Sequence, residues 1–424
     1  MNKQEQDRQD ELVLLLNQGK FKEVVVDATI FTDEYKYNAI GWNVLALGYK
    51  GLGDIAKAQN MFEELLRNNP GHILFLSNLG NIYKEAGRIK DAISCYEKAI
   101  NGDPNLINTV EALGIAYVDI GRNDEALNCF KKVLVLDSTR ENSLYYLAML
   151  YARDQSYEEA LELLGKTTSK RGKIHELELI YRLGGKEVFR EKYAKIQQDG
   201  ILSPLAGCIG AHASVRYGLE DQNNFCSNPI AYVKRWHVTE ADGLDDELVS
   251  EVIEYNNENS EDHMAQSLLV NGRQSAGNIF LLNREFVQVL KKIVTTYIEK
   301  YREEFKDSEQ GFLRNWPNNA NLFGWVVSIK TGGNLKPHIH KEGWLSGALY
   351  LNVPKTAGSN AGNIGFSLQG DNLPDDGKQF PSDRVVEIEK GDICMFPSSL
   401  FHYTIPFSSG QERVSFAFDL IPVQ

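Results

Sequence analysis

The chain has 424 residues, 42% of them hydrophobic and 24% charged, with a formal net charge of -13. That length exceeds one compact core and predicts two or three domains, while the composition excludes a disordered chain. The acidic balance argues against nucleic acid or an anionic membrane surface as the main partner, since both reward a basic face.

Cys95, Cys129, Cys208, Cys226 and Cys394 are scattered, with no CxxC pair. This speaks against a zinc knuckle or disulfide framework and for a reducing compartment. The opening "MNKQEQDRQDELVLLL" lacks a signal layout, and no apolar run approaches the ~18 residues of a bilayer span. A cytoplasmic location is expected.

The first half is periodic. Tyr49, Tyr83, Tyr117 and Tyr151 stand 34 residues apart, as do Ala58, Ala92, Ala126 and Ala160. Gly53, Gly87 and Gly121 keep the step, Phe62, Tyr96 and Phe130 follow it, and Pro70 and Pro104 close two units. Small residues where two helices approach, aromatics between units and a closing Pro describe a helix-turn-helix unit that buries its apolar face only by stacking. The pattern resembles the tetratricopeptide repeat, with "NLGNIYKEAGRIKDAISCYEKAINGDP" (78–104) the cleanest copy. Four units cover about 38–168, and "ELVLLLNQGKFKEVVVDATI" is a degenerate first one, so 1–168 is expected to be an all-α solenoid. The resemblance implies binding of a peptide or protein on the concave face; the array serving only as a spacer or dimerisation surface stays open.

From 169 to 222 the period fades into helical patterning, expected as helices ending the solenoid, with the polar stretch 218–229 as the boundary. After about 230, helices are expected near 244–256 and from 284. Then come short runs rich in β-branched and aromatic residues: "LFGWVVSIK", "LSGALYLNVP", "NIGFSLQG", "RVVEIEKGDICMFPS", "HYTIPF" and "RVSFAFDLIP". Such runs, parted by Gly, Asn and Pro, read as a β-sandwich or jelly roll with helices outside. "NGRQSAGNIF" (271–280) reads as a polar loop.

His338 and His340 are two residues apart, so on a strand they share a face, and His402 follows 64 residues after His338. Imidazole suits Fe, Zn, Cu and Ni. Arg413 with Ser415 in "RVSFAF" makes a fork and a hydroxyl suited to a carboxylate. Taken singly, the histidines are polar residues at a strand edge and Arg413 a buried partner for Glu389 or Asp392. Trp325 and Trp344 read as packing or pocket wall. His72, His175, His212, His237 and His263 have no partner at metal spacing.

"GGNLKPHIH…SGALYLNVP…GDICMFPSSLFHYTIPFSSGQERVSFAF" resembles the double-stranded β-helix (jelly-roll, cupin-like) of the Fe(II)- and 2-oxoglutarate-dependent oxygenases. It is similar in particular to the bacterial and phage branch often fused to tetratricopeptide repeats. The resemblance covers about 223–424, with its specific motifs in 331–420. It implies iron ligation by His338 and His402, with Arg413 and Ser415 gripping the far carboxylate of 2-oxoglutarate and Tyr350 as a further donor. The family's usual H-x-D or H-x-E is here H-x-H. The third ligand is then His340, or water as in the aspartyl and asparaginyl β-hydroxylase relatives, or Glu342; a two-ligand site would also admit halide. Implied cofactors are Fe(II), 2-oxoglutarate and O₂, and the implied activity is hydroxylation of a peptide or protein. Two alternatives are a non-catalytic scaffold with a degenerate jelly roll, and a three-histidine dioxygenase acting without 2-oxoglutarate. The expected partners are a peptide or protein, with no nucleic acid and no membrane, and with room for a homodimer.

Overall fold

The structure, a computed structural model, describes residues 2–219, 223–258, 268–355, 360–370 and 373–423. His263 and part of the 218–229 stretch lie outside them. The chain divides into two compact units, Met1–Thr168 and Ser169–Gln424.

The first unit is built from antiparallel helix pairs: α1 (Lys3–Asn17) with α2 (Phe21–Glu34), α3 (Ala39–Gly51) with α4 (Ile55–Asn68), and α5 (Ile73–Glu85) with α6 (Ile89–Gly102). They continue as α7 (Ile107–Asp119) with α8 (Asn123–Leu136) and α9 (Glu141–Arg153) with α10 (Tyr157–Gly165). The periodic alanines Ala58, Ala92, Ala126 and Ala160 are fully buried, because a larger side chain there would separate the helices of a pair. Phe62, Tyr96 and Phe130 are also fully buried and join successive pairs into one core. Side chains cap some of the helix starts: Asn38 Oδ1 accepts the Gly41 N–H at 2.8 Å, and Asp54 Oδ1 that of Lys57 at 3.1 Å.

The second unit begins with α11 (Lys170–Arg182), α12 (Lys186–Gln198) and α13 (Pro204–Tyr217). It continues through β1 (Lys234–His237), α14 (Asp246–Glu258), β2 (Leu269–Gln274), α15 (Glu285–Glu304) and the single turn α16 (Gly311–Arg314). The strands β3 (Ala320–Leu335), β4 (Leu345–Asn352), β5 (Ile364–Ser367), β6 (Arg384–Val386), β7 (Asp392–Pro397), β8 (Phe401–Thr404) and β9 (Arg413–Pro422) complete it. A six-stranded sheet runs β1-β7-β4-β9-β3-β2 and a three-stranded one β6-β5-β8, with antiparallel pairing throughout. Among the described residues, no helix is long and apolar enough to cross a membrane.

Strand alternation decides what each face of the large sheet meets. On β9, Val414, Phe416, Phe418 and Leu420 join Leu290, Val294 and Tyr301 of α15 in the main core. On β4 and β7, Leu345, Leu349, Ile393 and Met395 do the same. The opposite face carries Tyr350, Cys394 and Phe396, which pack with Ile364, Phe366 and Leu400 beneath the small sheet. Arg413, Ser415 and Asp419, odd-numbered on β9, therefore face inward between the sheets.

Two sequence expectations change here. The stretch 271–280 is a strand in its first part, because β2 pairs with β3 in spite of Gly272, through a register shift at positive-φ Asn271. His338 and His340 lie not on a strand but in the β3–β4 connection, where His338 makes an isolated bridge to His402.

Candidate metal centre

The β3–β4 connection is pinned by backbone bonds. The His338 N–H donates to the His402 carbonyl at 3.2 Å, the His402 N–H returns to the His338 carbonyl at 3.0 Å, and the His340 N–H reaches the Ser398 carbonyl at 3.3 Å. This borrowed ladder does what the expected strand would have done: it turns both histidines toward the inter-sheet cavity. Lys341 Nζ adds a tether, 3.0 and 3.2 Å from the oxygens of Glu178 on α11.

The ligand nitrogens of His338, His340 and His402 lie within 4.8 Å of one another. Each Nδ1 faces an oxygen: Lys336 O at 2.8 Å for His338, Asp419 Oδ1 at 2.6 Å for His340, and Leu400 O at 3.3 Å for His402. Carbonyls and carboxylates only accept, so Nδ1 carries the proton in each ring and each Nε2 holds a lone pair. His338 Nε2 and His340 Nε2 are 3.3 Å apart. Two nitrogens about 2.1 Å from a common divalent ion, at angles between octahedral and tetrahedral, stand about 3.0–3.4 Å apart. Burial, then the neighbouring imidazoles, lowers His338 to about 4 and His402 well below its ordinary value, keeping both neutral as metal ligands must be. The donor set fits a first-row divalent ion.

Glu342 lies outside this cluster; its largely exposed carboxylate pairs with Arg171 at 3.8 Å. His175 contacts Glu178 at 2.9 Å, His212 Tyr181 at 2.5 Å and His237 Asp392 at 2.9 Å, and His72 stacks on Phe75. None joins the cluster.

A cavity of about 250 Å³ opens beside the histidines, lined further in by Tyr350, Ile364, Phe396, Arg413 and Ser415, with Trp325 and Gln274 also on its wall. Arg413 is buried, its Nε donates to the Gly362 carbonyl at 2.9 Å, and its guanidinium carbon lies 4.9 Å from the Tyr350 ring centre. Among the described residues no carboxylate pairs with it, and Asp392 is taken by Arg235 and His237. A buried cation without a counter-ion is costly unless an anion completes the site. Register places Ser415 opposite Tyr350, whose buried hydroxyl finds no acceptor among the described residues. Trp344 instead belongs to the main core and donates Nε1–H to the Phe312 carbonyl at 2.7 Å.

Sequence reasoning missed Asp419, which accepts from Ser346 Oγ at 2.6 Å as well as from His340. The signal was present in the alternation that links Arg413 to Ser415, continued two steps further along the strand.

Residues 324–419 match the family model described as "Putative 2OG-Fe(II) oxygenase". Residues 39–72, 80–121 and 111–167 match tetratricopeptide-repeat models. No curated protein matches the sequence. Among solved structures, "MamA MSR-1 C2" is similar at 24% identity over 39% of this chain and 95% of that one, with a TM-score of 0.33. A tetratricopeptide repeat protein from Parabacteroides merdae is 12% identical over 51% and 88%, TM-score 0.41. Pseudomonas aeruginosa pilF is 15% identical over 46% and 93%, TM-score 0.42.

Proposed function

We propose that this chain, which joins tetratricopeptide repeats to a 2OG-Fe(II) oxygenase domain, is an Fe(II)- and 2-oxoglutarate-dependent dioxygenase that hydroxylates a peptide or protein side chain. The observation that carries the reading is one cavity holding both the imidazole donors and a buried guanidinium that lacks a counter-ion among the described residues.

His338, His340 and His402 would hold the ion through Nε2, on a mount fixed by the Nδ1 hydrogen bonds. Bound together, Fe(II) and 2-oxoglutarate supply O₂ activation, in which oxidative decarboxylation of the diacid to succinate and CO₂ accompanies insertion of one oxygen atom into a C–H bond. Arg413 grips the far carboxylate of the diacid by charge-assisted hydrogen bonds, and Ser415 and Tyr350 add hydroxyl donors from the facing strands. Ile364 and Phe396 keep water from the inner end, which strengthens those bonds. The repeat array would raise the local concentration of a peptide that it binds. Arg413 also separates this reading from a three-histidine dioxygenase that needs no dicarboxylate.

Anaerobic titration of the apo-protein with Fe(II) and then 2-oxoglutarate tests the reading, followed through the weak visible charge-transfer band of the chelate. The band is expected in the wild type, absent in His402→Ala and weakened in Arg413→Ala. Iron uptake without the band moves the three-histidine alternative ahead, and no uptake leaves a scaffold.

A further inference from the structure

The three imidazoles of the cluster are backed differently. His338 and His402 rest on neutral carbonyls of their own segments, Lys336 and Leu400. His340 alone rests on a charge: Asp419, 79 residues away on β9, accepts its Nδ1–H at 2.6 Å. Register sets Asp419 opposite Ser346 on β4, and Ser346 Oγ lies 2.6 Å from the same carboxylate oxygen and 2.7 Å from Ser398 Oγ.

The proton count is closed. Ser346 has one hydroxyl hydrogen, and an ionised Asp419 only accepts, so Ser346 donates to Asp419 and accepts from Ser398. The His340 ring proton is then held at Nδ1, shared with Ser346 Oγ at 3.1 Å, and Nε2 is left as a lone pair directed into the cluster. The backbone closes tightly over this network: a Cβ on Gly343 would meet Ser398 Oγ at 2.7 Å and Asp419 Cγ at 3.2 Å. Asp419 is buried, and among the described residues no lysine or arginine pairs with it. A buried carboxylate in such company is expensive for folding alone. Imidazole ligands, in turn, bring no negative charge to a divalent ion.

From this we infer that Asp419 is a positioning residue that makes His340 the third metal ligand, fixing its tautomer and supplying negative charge to the ion through the imidazole. The inference rests on the metal reading above. A carboxylate behind a ligating histidine raises the basicity of the ring and orients it, and its loss typically lowers metal affinity about 10- to 100-fold.

The test uses the full chain, stripped of metal and titrated anaerobically with Fe(II) and, as a spectroscopic probe, with Co(II). Thermal melting of each apo variant establishes that it is folded. Asp419→Asn keeps the shape and an acceptor oxygen but removes the charge, and is expected to weaken both metals about 10-fold or more and to shift the visible cobalt bands. Asp419→Ala is expected to weaken them further. In a His340→Ala background, where the intermediary ring is gone, Asp419→Asn should cost nothing more. Wild-type affinity and an unchanged cobalt spectrum in Asp419→Asn overturn the inference, while uptake abolished by His402→Ala leaves the metal reading intact. An equal cost of Asp419→Asn with and without His340 overturns it too, by assigning Asp419 a general structural role. Failure of the wild type to take up either metal removes the metal reading itself, and the inference with it.

Discussion

The guanidinium of Arg413 lies 4.9 Å from the centre of the Tyr350 ring, and both side chains are buried on the wall of the same cavity. The ring face offers partial compensation for the cation. Among the described residues no group accepts from the Tyr350 hydroxyl, and burial pushes its pKa well up, so it stays a donor in search of an acceptor.

Tyr350→Phe therefore tests whether the hydroxyl serves the fold or a ligand. An unsatisfied buried hydroxyl costs about 1–3 kcal/mol, so its removal is expected to leave the melting temperature of the apo-protein unchanged or raise it. Binding of 2-oxoglutarate to the iron-loaded protein is expected to weaken about 10-fold or more, the worth of one hydrogen bond to a charged group. Calorimetric titration beside thermal melting reads both. A variant that melts lower and binds the diacid as well as wild type makes Tyr350 a plain core residue.

What the sequence made legible follows how local each signal is. The 34-residue columns name contacts between adjacent helices, and Ala92 and Tyr96 are buried as that spacing requires. Arg413 and Ser415 share a strand, so alternation alone put them on one face. The same alternation put Asp419 on that face, but its role stayed hidden because its partners Ser346 and His340 come from another strand and from a connection. The path of that connection was also unreadable: His338 is held by backbone bonds to His402, a pairing set by how the two sheets stack. β2 escaped notice because "NGRQ" has no strand propensity, and its pairing with β3 overrides that.

Acid should destabilise the apo-protein in a window set by its neutral buried histidines. Burial lowers His212 and His338 to about 4, against about 6.5 in an unfolded chain. Between those values the unfolded state binds more protons, so stability falls as pH falls, by about 3 kcal/mol for each group once the window is crossed. Glu178 acts elsewhere. Burial favours its neutral form, but His175, Lys341 and Arg182 hold it far below the carboxylate range, and its contribution begins to fade only below about pH 4.3. Melting temperatures measured from pH 7.5 to 4.5 are expected to drop steadily below about 6.5, and less steeply in His212→Gln. A flat profile through that range contradicts neutral burial of these rings.

The repeat array carries one local conflict that mutation can relieve. Gly53, Gly87 and Gly121 end the first helix of their pairs with φ of 85°, 77° and 76°, and Gln155 occupies the equivalent place after α9 with φ of 63°. A side chain in this left-handed region costs about 1–2 kcal/mol, partly offset by the roughly 0.5–1 kcal/mol of chain entropy that glycine loses on folding. Gln155→Gly is thus expected to stabilise the array by up to about 1 kcal/mol. Gly121→Val should destabilise it by at least about 1 kcal/mol, although a Cβ there meets nothing within 4 Å, because the strain is in the backbone and not in a clash. Urea unfolding followed by helical circular dichroism separates the two. Equal destabilisation by both changes would mean that the Gln155 side chain makes a contact worth more than the strain it imposes.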